Sequence, residues 1–136
     1  TATCEKALES KPDYHLAWYN RGIALRRLGR NEEAIASYDK ALEFKPDKHE
    51  AWDNRGYALT YAGKYQEALQ SFNQALKINP NYGNAYYNKA VFYAFQNDIP
   101  LALENLQQAI NVDEEYREMA KNDRDFDLIR ESMNEL

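Results

Sequence analysis

Three prolines, Pro12, Pro46 and Pro80, follow one another at intervals of 34 residues. A fixed period of that size marks a chain built from stacked copies of one supersecondary unit. The rest of the sequence keeps the same register. Trp18, Trp52 and Tyr86 coincide, as do Gly22, Gly56 and Ala90, and then Ala34, Ala68 and Ala102. Later in each unit Tyr38, Phe72 and Leu106 align, followed by Ala41, Ala75 and Ala109 and by Leu42, Leu76 and Ile110. The hexamer AWYNRG at 17–22 therefore returns as AWDNRG at 51–56 and, more loosely, as AYYNKA at 85–90.

Each unit divides into two helices. Trp18, Gly22 and Leu25 are spaced four and then three apart, while Ala34, Ile35, Tyr38, Ala41 and Leu42 trace a second helical stripe. Gly29 and Gly63 fall where the first helix should stop, because glycine enters the left-handed conformation at little cost. Asn97 holds that place in the third unit, and Pro100 suits the start of the helix that follows. Asp13, Asp47 and Asn81, each next to a proline, are expected to cap the following helix through their side chains. Gly22, Ala34 and Ala41 remove bulk where helices meet, and Trp18 and Tyr38 fill the space beside them.

At this point the residues resemble a known family. The tetratricopeptide (TPR) pattern, W-x2-L-G-x2-Y, then A-x3-F, then P, is matched by Trp18, Gly22, Ala34, Tyr38 and Pro46. It is matched again by Trp52, Gly56, Ala68, Phe72 and Pro80. The chain departs from it at the leucine before the glycine, which is Arg21, Arg55 or Lys89 here, and at the tyrosine, which is Leu25, Leu59 or Tyr93. We expect those basic residues to lay their methylene stems along the apolar seam and keep their heads in water. The resemblance implies an all-α fold, a right-handed TPR superhelix of helix-turn-helix repeats (an α-α solenoid) closed by C-terminal capping helices.

The register sets the expected domain organisation within a single domain over 1–136. Repeats occupy 13–46, 47–80 and 81–112, and a helical cap occupies 113–136. Cys4, Ala7, Leu8 and Pro12 fit the second half of a unit, so 1–12 reads as the second helix of an incomplete repeat and the chain as a fragment of a larger protein. The apolar face of that helix would lack its partner, and self-association through it is expected. The tail NDRDFDLIRESM resembles the segment that follows bacterial TPR arrays.

Seventeen basic residues against twenty-two acidic ones leave a net charge of −5, a field that repels phosphate polymers and anionic lipid. Nucleic acid and membrane surfaces are thus excluded as expected partners. The longest apolar run, AVFYAF at 90–95, is far short of a bilayer span, and no leader pattern opens the sequence. With a single cysteine, Cys4, better read as core filler than as a nucleophile, a cytoplasmic location is expected.

No catalytic constellation is visible. His15 and His49 occupy equivalent places in successive repeats and do not converge, and phosphate loops, zinc-ligand spacings and dinucleotide fingerprints are missing. Asp123, Asp125 and Asp127 alternate as calcium ligands do, yet the sixth position of such a loop, where glycine is required, is Leu128. Helix capping is the better reading. No enzyme activity, metal or cofactor is expected.

In TPR proteins the first helix of each unit lines a concave face, and solenoids bind their partners there. The resemblance therefore implies a groove lined by Tyr19, Asn20, Ile23, Arg26 and Arg27 in the first unit. Asp53, Asn54, Tyr57 and Tyr61 would follow in the second, and Tyr87, Asn88, Val91 and Phe95 in the third. Asn20, Asn54 and Asn88 form either a ladder that reads a peptide backbone or bonds to neighbouring helices; both readings stay open. Hydrogen bonds contribute roughly 0.5–1.5 kcal/mol each against the roughly 8 kcal/mol of a micromolar complex, so aromatic pockets must supply the remainder. With Arg26 and Arg27 beside Glu50 and Asp53, mixed charge is expected. The family's clamp for chaperone C-termini wants Lys and Asn in its first helix and Lys and Arg in its third, where this chain has Tyr19, Ile23, Asn84 and Asn88 and retains only Asn54, which sets that reading aside. The expected work is protein–protein interaction, a peptide or protein segment docking in the groove. The alternative is a structural spacer or self-association segment of a larger, multidomain enzyme or regulator.

Overall fold

The computed structural model describes residues 15–135. The expected N-terminal helix over 1–12, with Cys4, and the expected cap at Asp13 lie outside them. Among the described residues there are seven α-helices, two 3-10 helices and no strand. The α-helices are α1 (His15–Arg27), α2 (Asn31–Phe44), α3 (His49–Tyr61), α4 (Tyr65–Ile78), α5 (Gly83–Phe95), α6 (Ile99–Val112) and α7 (Glu115–Asn122). The 3-10 helices cover Arg124–Ile129 and Ser132–Glu135. None of the described helices is long and apolar enough to cross a membrane. The chain divides into two compact units, up to Ile78 and from Asn79 onward.

In the first unit α1 pairs with α2, α3 with α4, and α2 packs on α3. Each hairpin closes on an aromatic ring lying against bare backbone. Tyr38 and Phe72 are fully buried, and a Cβ on Gly22 would come within 2.5 Å of Tyr38 Cε1, one on Gly56 within 2.7 Å of Phe72 Cε1. Glycine is needed there because a large ring fills the space a methyl group would take. Alanines 34, 41, 51, 58, 68 and 75 have no exposed surface and let the helices approach. The helix stops behave as the sequence predicts: Gly29, Gly63 and Asn97 have positive φ of 77°, 79° and 57°.

The hexamer repeated along the sequence has a job for each of its large residues. Trp52 Nε1 donates to the carbonyl of Pro46 at 2.9 Å, and the Tyr86 hydroxyl donates to that of Pro80 at 3.2 Å. The aromatic ring thereby ties α3 and α5 each to the proline turn before it. Arg21 and Arg55 lie over the Trp18 and Trp52 rings at 6.0 and 5.8 Å. Their guanidinium groups donate to the hydroxyls of Ser37 and Ser71 on the second helix, and Arg55 also donates to Asp39 at 2.7 Å. Where the sequence predicts heads held in water, those of Arg21 and Arg55 turn inward. Ser37 and Ser71 are fully buried, and a buried hydroxyl needs a partner.

The expected caps at Asp47 and Asn81 do not form. Helices α3 and α5 begin one residue later than that reading requires, with Lys48 and Tyr82 at the N-cap and no side-chain capping bond. An acid one residue outside the cap cannot reach the first-turn N–H groups. Asp98 does cap α6, accepting from the Leu101 amide at 3.3 Å.

In the second unit α5 pairs with α6, and the C-terminal segment folds back on both. Phe126 and Ile129 are buried against Tyr87, Val91 and Ala94 of α5 in one cluster with Leu106 and Ile110 of α6. The Tyr116 ring crosses Gly83, where a Cβ would stand 2.6 Å from Cε2, and its hydroxyl donates to Asn84 Oδ1 at 2.6 Å. Asp123 anchors the fold-back: one carboxylate oxygen accepts from the Asp125 amide at 2.9 Å, the other from the Tyr87 hydroxyl at 2.6 Å. Arg130 closes the end of α7, donating to the carbonyls of Ala120, Lys121 and Asp123 and to Asp127 Oδ1. Asp123 caps the 3-10 helix that follows, the role the sequence predicts for these aspartates, and Asp127 accepts from Arg130.

Candidate functional site

The first helices of the first unit, α1 and α3, bring together most of the residues expected to line a groove. Tyr19 stands half-buried between them. Its ring lies 4.7 Å from the Lys48 ammonium and 6.0 Å from the Tyr38 ring, and its hydroxyl accepts from Asn54 Nδ2 at 3.0 Å. Asn54 Nδ2 also donates to the Glu50 carbonyl at 2.9 Å, so both amide hydrogens are spent within the protein and its carbonyl oxygen is left to accept. Burial raises the Tyr19 hydroxyl to about 12, with Tyr38, Glu50 and Asp53 adding to the shift and Arg26 opposing it. Burial also pushes Tyr38 up to about 12, again against Arg26. That guanidinium acts on the Tyr38 hydroxyl through its charge and as a hydrogen-bonding neighbour, both favouring the ionised phenol.

Arg26 Cζ lies over the Tyr57 ring, 4.8 Å from its centroid, a cation–π arrangement. Tyr57 and Tyr61 stack one turn apart with centroids 4.8 Å apart, their hydroxyls 3.3 Å from each other. Arg26, Arg27, Tyr57 and Tyr61, with Gly29 and Asn31, line an open hollow of about 360 Å³. Mixed charge is not what borders it. Asp53 is only 2% exposed, Glu50 lies 3.3 Å from His49 Nδ1, and no acidic side chain lines the hollow among the described residues. Asn20 and Arg27 are exposed, and Ile23 is half-buried.

The second unit treats its candidates differently. Tyr87 is 7% and Val91 1% exposed. Tyr87 sits between Tyr116 and Phe126, with ring centroids 5.6 and 5.4 Å away. Asn88 and Phe95 are half-buried. Sequence reasoning found Tyr87 but not what covers it. It also missed Lys48, Gly29 and Asn31 beside the first-unit candidates, as well as Ser37 and Ser71. Only the serines carried a signal, a shared register position that the third unit fills with Asn105.

The tetratricopeptide-repeat family profile matches residues 13–81 and again 47–115, and the chain belongs to that family. Solved structures similar to it include two crystal structures of MamA, both 19% identical over 97% of this chain. One is covered over 79% of its length with a TM-score of 0.78, the other over 74% with a TM-score of 0.77. At that identity the likeness shows the fold alone, an all-α tetratricopeptide array. No curated protein matches the sequence. Tetratricopeptide repeats generally mediate protein–protein interaction.

Proposed function

We propose that this chain is a non-enzymatic interaction module in which the first helices of the repeats dock an extended or helical segment of a partner protein. The observation that carries the reading is the hollow between Arg26, Tyr57 and Tyr61, where rigid aromatic rings and a guanidinium border open space on one face of α1 and α3. Such side chains dominate protein interfaces because they bury large area at small rotamer cost. Asn54, Tyr19, Asn20, Ile23, Asp53 and Arg27 belong to the same proposed surface, Asn54 offering its carbonyl oxygen and Asp53 acting from beneath. In the third repeat, Asn88 and Phe95 are proposed as contact residues of its own first helix, with Tyr87 and Val91, covered by the C-terminal segment, as support beneath them. The repeats and cap are proposed to form one domain, and the lone cysteine supports a cytoplasmic setting.

The test is a peptide-library selection on the chain, with the selected peptides re-measured against an Asn54→Ala/Tyr57→Ala variant whose helicity is unchanged. Loss of roughly tenfold or more in affinity, about 1.4 kcal/mol, supports docking on this face. Equal binding to both proteins would place the contact elsewhere and favour a spacer or self-associating segment.

A further inference from the structure

We propose that the hollow beside Arg26 seats an acidic side chain, an aspartate or glutamate of the docked segment. This rests on the docking reading above and names the chemistry that the segment must carry.

Among the described residues, neither Arg26 nor Arg27 has a carboxylate within ion-pair distance, in contrast to Arg30, held by Glu33, and Arg55, held by Asp39. The acids nearest in sequence are already engaged: Glu33 with Arg30, and Glu32 with Lys64 at 3.2 Å. Arg26 is drawn toward the buried Tyr38 hydroxyl on one side and borders the open hollow on the other. With Arg26 Cζ 4.8 Å from the Tyr57 ring centroid and the side chain bordering the hollow, its guanidinium is a chemical match for a planar carboxylate, and charge-assisted bonds of this type are about twice as strong as neutral ones. A dianionic phosphate is held best by a larger cluster of converging arginines, and two arginines border this hollow.

The chain's net charge of −5 does not oppose this at contact. Screening limits the reach of distant charges to about 8 Å at physiological salt, so the local potential is set by Arg26 and Arg27 at the hollow and by the acids behind them, of which Asp53 is buried. A carboxylate partner should accordingly bind more weakly as salt rises.

The test uses the full chain and three blocked peptides: acetyl-Gly-Ser-Glu-Glu-Ser-Gly-amide, the same peptide with both glutamates as glutamine, and one with both as phosphoserine. Binding is followed by NMR at the Nε–H resonances of Arg26 and Arg27 and at the Tyr57 and Tyr61 rings. We expect the glutamate peptide to shift these signals saturably, with affinity roughly tenfold above the glutamine peptide, a difference of about 1.4 kcal/mol. Arg27→Gln, an exposed change checked by an unaltered amide spectrum, should reduce that preference, and Arg26→Gln should abolish it. Equal shifts of α1 and α3 by the glutamate and glutamine peptides would leave docking standing and overturn the charge assignment. Preference for the phosphoserine peptide would reassign the hollow to phosphate. No shift on α1 or α3 with any peptide would overturn both readings.

Discussion

The Tyr87 hydroxyl donates to Asp123 at 2.6 Å, across 36 residues of sequence, and this bond fastens the C-terminal segment onto α5. The same carboxylate holds the first turn of the 3-10 helix that follows, so one side chain ends the fold-back and begins the cap.

Asp123→Ala should therefore loosen the second unit more than a surface substitution would. It strips the partner from a nearly buried phenol and removes a helix cap, a combined cost of about 1–3 kcal/mol. Hydrogen exchange should show faster opening of Arg124–Ile129 and of the amides around Tyr87, with those of α1 and α2 unchanged. Unaltered protection at Tyr87 would show that apolar packing of Phe126 alone holds the segment.

Gly56→Ala tests the aromatic closure of the hairpin. Alanine favours a helix over glycine by about 1 kcal/mol, but here its methyl group would stand 2.7 Å from the fully buried Phe72 ring. Overpacking costs typically about 1–3 kcal/mol, so we expect net destabilisation, read as a lower midpoint in urea. Adding Phe72→Leu to the alanine variant should recover part of the loss. A rise in stability for Gly56→Ala alone would mean that the ring moves aside freely.

Alkaline pH should weaken the first unit. Tyr19 and Tyr38 are raised from 10.0 to about 12 in the folded protein. Between those values the unfolded chain has lost the phenolic protons that the native state keeps, and stability falls as pH rises. The stabilising contribution is thus present below pH 10.0 and gone above about 12, a change on the order of 1–3 kcal/mol. Urea unfolding across that range, with tyrosinate absorbance as the second probe, should show the decline. Tyr19→Phe should flatten part of it.

The 34-residue register, read from proline, glycine, alanine and aromatic positions alone, fixes the helix pairs, their stops at Gly29, Gly63 and Asn97, and the buried rings of Tyr38 and Phe72. Those features repeat because each depends on neighbours a few residues away or on the next copy of the same unit. Tertiary structure decided the rest. That Arg55 turns inward to Ser71, that Asn54 spends its amide hydrogens on Tyr19 and Glu50, that Asp53 is buried while Arg26 borders open space, and that Phe126 covers Tyr87 all depend on which side chain a neighbouring helix brings alongside. Periodicity reports which face of a helix is apolar; it carries no record of where a polar group on that face finds its partner.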